Sequence, residues 1–386
     1  SGCSEARPAL EDGRHADSVE RQPAPAPSGT SGVAGAAVLA PGGLAACPGD
    51  MTLAPAVQRG VCYAHSYASG GVRGYGSTAS RRSRIELKQR GVAWLSLTPF
   101  GYSAGLGASE VRHIGSYPGG ETDDRVRREI REAHGEGFQI LLKPHVWIHG
   151  GGFRGEISPA GPGGWSRWFA SYSTWLLRYA RLAEAEQVAV LSVGVEFVSS
   201  SVSREQDWRS LVRAVRAVYR GKLVYAANWN EVARVKWWTE VDYIGVQFYP
   251  PLATGPETPE EERVRRLNSQ LDRLAALSRR TGRPLLLTEV GYRSSPDTDE
   301  RPYAWPGDEG VSEISDTGAQ ERSYRRLLRA LRGRPEVHGV YPWKWFSDPA
   351  SKEEGLAGFS LRGTPAAQAL AESYRQGCGS SAPAGI

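Results

Sequence analysis

Two glutamates that each close a short apolar run are the residues of this sequence best suited to chemistry. Glu196 ends the run Val-Leu-Ser-Val-Gly-Val-Glu, and Glu289 ends the run Leu-Leu-Leu-Thr-Glu. Runs this short are typical of parallel strands buried on both faces, where a carboxylate is costly unless it is paired or catalytic. Hydrolysis of a glycosidic bond needs one carboxyl group to protonate the leaving oxygen and a second to attack or to activate water. The two glutamates therefore predict a catalytic pair in one pocket.

Short apolar runs alternate with amphipathic helical patterns along most of the chain. The predicted strands are 60–65, 92–98, 138–145, 188–196, 223–228, 243–249, 284–289 and 337–345. The predicted helices are 79–90, 123–136, 165–186, 204–219, 231–238, 260–280, 319–331 and 365–374. Strict alternation predicts a parallel α/β fold, and the count of eight favours a closed (β/α)8 TIM barrel. An open doubly wound sheet would carry a glycine-rich phosphate turn after its first strand, and the sequence shows none there.

Composition sets the expected limits of this domain. Residues 1–48 are rich in Ala, Pro, Gly and Ser, which is typical of a disordered linker or tether. Residues 49–378 form the predicted catalytic domain, and residues 379–386 a disordered tail. With 40% hydrophobic and 23% charged residues, the chain can bury a sizeable core. We expect one domain and a monomer.

The net charge of +5 does not predict a nucleic-acid partner. The arginines are dispersed beside glutamates on predicted helices, as on solvated helix faces, and no RNA-binding signature or zinc-finger spacing accompanies them. Seven scattered histidines give no metal-ligand spacing, so we expect no cofactor. Twelve tryptophans and sixteen tyrosines suit a sugar-binding cleft, although packing in the core is the more ordinary source of such rings.

The four cysteines carry predictions about processing and location. Ser1-Gly2-Cys3 resembles the end of a bacterial lipoprotein signal, so a lipid on Cys3 or secretion into an extracytoplasmic compartment at the cell envelope is expected. Cys47 and Cys378 flank the predicted barrel, whose ends lie close together, so a disulfide between them is expected, with two free thiols as the alternative. Cys62 lies in an apolar strand and is predicted to be a buried thiol.

In a TIM barrel the active site lies at the C-terminal ends of the strands, and those ends are polar and aromatic here. The candidate substrate-binding residues are Lys143, His145, Asn228, Trp229, Gln247, Tyr249, Trp343 and Trp345. For Lys143 and His145 the alternative is a buried ion pair that stabilises the barrel. His65 and Tyr63 are weaker candidates, and Trp147 is a candidate outer platform.

The positions of the two glutamates also predict a mechanism. Ends of the fourth and seventh strands face each other across a barrel mouth. This suits the carboxyl separation of about 5–5.5 Å found in retaining glycosidases better than the about 6.5–9.5 Å of inverting ones. We therefore predict Glu196 as the acid/base and Glu289 as the nucleophile of a double displacement.

The sequence resembles glycoside hydrolase family 113 and its TIM-barrel relatives in clan A. The similarity covers roughly residues 59–376 and is carried by Arg59-Gly60-Val61, Leu142-Lys143-Pro144-His145-Val146, Gly194-Val195-Glu196-Phe197, Leu223 to Trp229, Asp242 to Leu252, Thr288-Glu289-Val290-Gly291-Tyr292 and Gly339 to Trp345. It implies a retaining endo-β-glycosidase with β-1,4-mannan as the first candidate substrate. It also implies that Tyr249 contacts the nucleophile and that Trp343 or Trp345 packs beneath the sugar beside the scissile bond. Val195 departs from the Asn that many clan members carry before the acid/base, which weakens the substrate assignment.

Three other interpretations remain open or are disfavoured. The substrate could instead be a hexosamine-containing cell-wall or exopolysaccharide chain, and a non-catalytic carbohydrate-binding barrel would keep the cleft without the reaction. Gly101-Tyr102-Ser103-Ala104-Gly105 matches the nucleophile elbow of serine hydrolases, and His149-Gly150-Gly151-Gly152 resembles their oxyanion loop. The order of the two motifs is the reverse of that in such esterases, which disfavours this interpretation.

Overall fold

The computed structural model describes residues 51–54, 56–67, 73–113 and 120–375. Cys3, Cys47 and Cys378 lie outside the described residues, as do the predicted linker and tail. The lipid on Cys3, the disulfide between Cys47 and Cys378 and the domain limits therefore stay predictions.

Eleven strands are present in the part of the chain that the structure describes. They are β1 (Gln58–Ala64), β2 (Trp94–Leu97), β3 (Phe100–Ser103), β4 (Gln139–Leu142), β5 (His145–Ile148), β6 (Val190–Val195), β7 (Lys222–Asn228), β8 (Tyr243–Phe248), β9 (Leu285–Val290), β10 (Val337–Pro342) and β11 (Trp345–Phe346). Eight of them pair in parallel in the order β1-β2-β4-β6-β7-β8-β9-β10, and β10 pairs with β1. The sheet is thus closed, and the predicted TIM barrel is confirmed.

Helices surround the barrel, although one predicted helix does not form. The α-helices of the described residues are α1 (Thr78–Gln89), α2 (Asp123–Gly135), α3 (Gly164–Ala185), α4 (Val198–Ser203), α5 (Glu205–Arg216), α6 (Glu260–Thr281), α7 (Thr317–Leu331) and α8 (Pro365–Tyr374). The prediction of a helix over 231–238 was wrong, because that segment forms only two 3₁₀ turns, Val232–Arg234 and Trp238–Glu240. The Val232 carbonyl, which a helix would pair with the amide four residues on, accepts a hydrogen bond from the Trp238 indole at 3.1 Å. No helix in the described ranges is both long and apolar enough to cross a membrane.

The barrel interior is filled by side chains rather than left as a pore. An interior cluster includes Cys62, Leu141, Val190, Val224, Leu286 and Tyr341. The Tyr341 ring needs Gly60 opposite it, because a Cβ at that position would lie 2.3 Å from the ring. Cys62 is a buried free thiol, as predicted.

A second core, rich in aromatic rings, separates the barrel from α3 and α5. Its rings include Trp168, Phe169, Tyr172, Phe197, Trp208, Tyr225 and Trp237. Trp208 and Trp237 stack with ring centroids 5.1 Å apart and planes 6° from parallel. Core packing therefore accounts for many of the tryptophans, and this core lies directly behind β6 and β7.

The serine motif does not form a nucleophile elbow. Ser103 ends β3, which pairs with β5 in a small parallel sheet beside the barrel, and no helix follows it directly. Its hydroxyl is buried and donates to the Gly105 carbonyl at 3.0 Å. Because an elbow must present its serine in a sharp strand-to-helix turn, the structure agrees with rejecting the esterase interpretation.

Candidate active site

An extra residue in β9 turns Glu289 toward the barrel interior. Val246 of β8 lies opposite Leu287, but the next residue, Gln247, lies opposite Glu289, so Thr288 has no partner on β8. The pairing with β10 is shifted at the same place. In a regular strand Glu289 would share the face of Leu287, which packs in the outer core. The bulge redirects the carboxylate, as bulges beside active sites commonly do.

Glu196 follows a similar irregularity at the end of β6. The pairing of β6 with β7 shifts between Ser192 and Val195. Glu196 itself has a positive φ of 54°, and its amide donates to the Ala226 carbonyl at 2.8 Å. A non-glycine residue in this left-handed region costs of order 1–3 kcal/mol and persists only where its surroundings hold it.

Register places the site residues of four neighbouring strands at one level. Asn228 of β7 lies opposite Gln247 of β8, and Gln247 lies opposite Glu289 of β9. Glu196 joins this level through a hydrogen bond of 2.8 Å from the Asn228 Nδ2 atom to its Oε1 atom. The structure thus brings both glutamates to the C-terminal mouth of the barrel, where TIM-barrel enzymes carry out catalysis.

Glu289 is held by a lysine, a histidine and a tyrosine. The Lys143 ammonium forms an ion pair with Oε1 and also donates to the Thr288 carbonyl at 3.2 Å. The His145 Nε2 atom lies 3.5 Å from Oε1, and the Tyr249 hydroxyl donates to Oε2 at 3.1 Å. These contacts hold the carboxylate in one orientation, which a nucleophile needs for attack.

Glu196 is held by Arg154 and Asn228. The Arg154 NH1 group donates to Oε2 at 2.9 Å, while its Nε group donates to the Val146 carbonyl at 3.0 Å. Arg154 is buried and lies in a short 3₁₀ turn after β5. Sequence reasoning missed it, because nothing in the loop that carries it distinguishes this arginine from the many on the surface.

The two tryptophans near the end of β10 point in different directions. The Trp343 ring stacks on the His145 ring with centroids 6.4 Å apart, and the Lys143 ammonium lies 5.7 Å from its centroid. Trp343 is therefore beside Glu289. Trp345 instead lies between the guanidinium groups of Arg90 and Arg362, at 5.1 and 4.6 Å from its ring. The structure does not bring Trp345 to the two glutamates.

Some of the remaining candidate residues lie near Glu289, and others lie away from it. Gln247 is buried near Glu289, where its Oε1 atom accepts from the Thr288 hydroxyl at 2.9 Å, and its Nε2 atom has no hydrogen-bond partner among the described residues. Trp229 is half-buried next to it, and its amide donates to the Gln247 carbonyl. Tyr63 and His65 lie on the outer side, where they contact Ser80 and Tyr75. Trp147 is half-buried and packs edge-on against Phe100. In the described ranges no three His, Cys, Asp or Glu side chains cluster so as to hold a metal ion.

Comparison with solved structures identifies proteins that share the fold of this barrel. A complex of a GH113 β-1,4-mannanase matches with a TM-score of 0.71 and 22% identity over 82% of this chain and 98% of that chain. The GH113 β-mannanase AaManA from Alicyclobacillus acidocaldarius in complex with ManMIm matches with a TM-score of 0.71 and 24% identity over 82% and 97%. A β-glucuronidase from Ruminococcus gnavus matches with a TM-score of 0.55 and 14% identity over 83% and 50%. At these identities the likeness establishes the TIM-barrel fold.

The family follows from the sequence itself. The profile of Glycoside Hydrolase Family 113 matches residues 65–360, and the chain belongs to this family. It is therefore a glycoside hydrolase, and the resemblance seen in its motifs is confirmed. No curated protein matches the sequence.

Proposed function

We propose that this protein is a retaining β-glycosidase that cleaves β-1,4-mannan, with Glu289 as nucleophile and Glu196 as acid/base. The observation that carries the proposal is the convergence of two buried glutamates at one level of the barrel mouth, each turned there by an irregular strand. A retaining hydrolase needs two such carboxyl groups. The GH113 mannanases among the similar structures support mannan as the substrate.

The two glutamates take separate roles in the proposed reaction. The Glu289 carboxylate, held by Lys143, attacks the anomeric carbon, while Glu196 gives its proton to the leaving oxygen. The resulting glycosyl–enzyme ester is then hydrolysed by a water molecule that Glu196, now ionised, activates as a base. Trp343, beside Lys143 and His145, offers an apolar surface to the sugar bound there.

Hydrolysis of a polysaccharide panel tests this proposal. The panel contains linear mannan, glucomannan, cellulose, xylan, chitosan and peptidoglycan, and the anomer first released is read by proton NMR. We expect mannan to be cleaved with first release of the β-anomer. First release of the α-anomer would exclude Glu289 as a nucleophile. Cleavage of only the hexosamine polymers would replace the substrate, and binding without cleavage would indicate a carbohydrate-recognition barrel.

Lys143→Met tests the ion pair at the nucleophile. Loss of the cation removes the contact to the Glu289 Oε1 atom, so the carboxylate is no longer held in one orientation. Because a hydrogen bond to a charged group contributes about 1.5–3 kcal/mol, kcat/KM at neutral pH should fall by about 10- to 100-fold. The measurement is kcat/KM on protein whose folding is checked by thermal unfolding. An unchanged kcat/KM in the folded variant would show that Lys143 has only a structural role.

Arg154→Gln tests the contact that holds the proposed acid/base. The guanidinium donates to the Glu196 Oε2 atom at 2.9 Å and to the Val146 carbonyl at 3.0 Å, and the shorter glutamine side chain cannot keep both contacts. Because a hydrogen bond to a charged group contributes about 1.5–3 kcal/mol, we expect kcat/KM for an oligosaccharide to fall by about 10- to 100-fold. Arg112→Gln, at an exposed ion pair, is the control that should keep the wild-type kcat/KM. An unchanged kcat/KM in a folded Arg154→Gln protein would contradict the role of Arg154.

A further inference from the structure

Glu231 is a fully buried carboxylate just beyond the end of β7, and none of the roles described above uses it. Its Oε1 atom accepts hydrogen bonds from the Tyr225 hydroxyl at 2.6 Å and from the Ser201 hydroxyl. Its Oε2 atom accepts from the backbone amide of Asn228 at 2.9 Å. Burial raises the pKa of Glu231, and these three donors offset part of that effect. Burying a carboxyl group is unfavourable, so its position calls for a function.

Each of the three donors leads to Glu196. Asn228 receives its backbone restraint from Glu231 and uses its side-chain amide to contact the Glu196 carboxylate at 2.8 Å. The Tyr225 hydroxyl, which donates to Glu231, accepts from the backbone amide of Phe197 at 3.0 Å. Ser201 lies in α4, the helix that begins two residues after Glu196. A single carboxylate therefore restrains both the amide that contacts Glu196 and the backbone that follows it.

The restraint matters because Glu196 has a backbone conformation that it would not adopt alone. Its φ of 54° lies in the left-handed region, which a glutamate keeps only when the surrounding structure holds it there. The aromatic core closes around the network: Phe197 packs edge-on against Trp168, and Tyr225 packs against Trp208 and Trp237. In such an apolar setting hydrogen bonds are strong and an unpaired polar group is costly.

We propose that Glu231 is a positioning residue that sets the Glu196 carboxyl group for proton transfer, through Asn228 on one side and through Tyr225 and Ser201 on the other. This inference rests on the proposed acid/base role of Glu196. Glu231 does not touch the substrate in this scheme. Its removal should impair the steps in which Glu196 transfers a proton, and kcat/KM reports the first of them, in which the leaving oxygen is protonated.

Glu231→Gln tests the inference, because it keeps the shape of the side chain and removes one acceptor. In the wild-type protein the Asn228 amide and the Tyr225 and Ser201 hydroxyls all donate to Glu231. In either orientation of the glutamine, its NH₂ group therefore faces another donor, either the Asn228 amide or the two hydroxyls. We compare kcat/KM for a mannooligosaccharide, whose alkoxide leaving group needs a proton, with that for a 2,4-dinitrophenyl β-mannooligosaccharide, whose leaving group does not. The oligosaccharide rate should fall by about 10- to 100-fold, which is part of the about 10²- to 10⁴-fold contribution of general acid catalysis. The dinitrophenyl rate should change by less than about threefold, a small fraction of that contribution.

Controls separate positioning from loss of structure. Glu240→Gln, in the same connection and paired with Arg209, should leave both rates unchanged. An equal loss on both substrates, or no loss in a folded Glu231→Gln protein, would overturn the inference. If Glu231→Gln does not fold, Tyr225→Phe is used instead, because it removes one donor to Glu231 and the acceptor of the Phe197 amide. The same comparison of the two rates then tests the positioning role.

The failure of this inference is distinguishable from that of the proposed function. Glu196→Gln is measured beside Glu231→Gln with the same two substrates. A leaving-group dependence in Glu196→Gln without one in Glu231→Gln would leave the acid/base assignment intact and reject the positioning role. No leaving-group dependence in Glu196→Gln would reject the acid/base assignment, and the inference with it.

Discussion

Glu289→Gln is expected to lower kcat by about 10⁵-fold on polymers and on aryl glycosides alike, as loss of a nucleophile does in other covalent enzymes. An amide does not attack the anomeric carbon, and this loss does not depend on the leaving group. Lys143 would also be left buried without its counter-charge, which disturbs the floor of the site further. Rates on both substrate types measure the effect.

A matched control and a trapping experiment identify the nucleophile directly. Glu336→Gln, just before β10 at the opposite end of the barrel, should retain the wild-type rate and folding. A 2-fluoro mannoside with a good leaving group should label the wild-type protein, and peptide mass spectrometry should place the label on Glu289. A label on another residue, or more than about one hundredth of wild-type activity in Glu289→Gln, would be inconsistent with a nucleophile whose loss costs about 10⁵-fold.

Glu196→Ala is expected to separate the two steps of the reaction. On mannan the rate should fall by about 10³- to 10⁴-fold, because the leaving oxygen is no longer protonated and water is no longer activated. A dinitrophenyl mannoside still forms the glycosyl–enzyme, which then accumulates, so kcat and KM should fall together. Burst kinetics measure this accumulation.

Added azide provides the sharpest test of the Glu196 assignment. Removing the carboxylate makes room for a small anion that needs no general base, so azide should restore turnover of the dinitrophenyl substrate and yield the β-glycosyl azide. Asn228→Ala, which keeps Glu196 but removes its Oε1 contact, should not be rescued. Unchanged turnover with azide in Glu196→Ala would count against a role for Glu196 as the base.

Much of the barrel could be predicted because its signals are local. Each apolar run, such as residues 285–287, is bounded by polar or turn residues, and each helix shows its own periodicity, so strands and helices follow from neighbouring residues. The predicted helix that does not form, at 231–238, fails for a tertiary reason: indole groups of Trp237 and Trp238 donate to backbone carbonyls and bury the segment. Its pattern resembles a helix, but its contacts do not allow one.

The sequence predicted which residues belong to the candidate site better than it predicted which way their side chains face. The strand-end position of Lys143 indicated that it needs a partner. The two alternatives for Lys143, a place in the site and a buried ion pair, do not exclude each other, because it forms a buried ion pair with a proposed catalytic residue. Trp343 and Trp345 are two residues apart and looked equivalent in sequence. Only the structure shows Trp343 at the site and Trp345 between two arginines on the outer side.

The sequence by itself determined the fold, the family and the pair of glutamates, because apolar runs, their limits and the family motifs are all properties of adjacent residues. Tertiary structure decided which way those glutamates face. One extra residue in β9 and a left-handed residue after β6 reverse the alternation that a regular strand would impose. Arg154 and Glu231 likewise acquire their contacts only through folding. Arg154 joins the loop after β5 to Glu196, and Glu231 joins the loop after β7 to α4, and these segments are far apart in the chain.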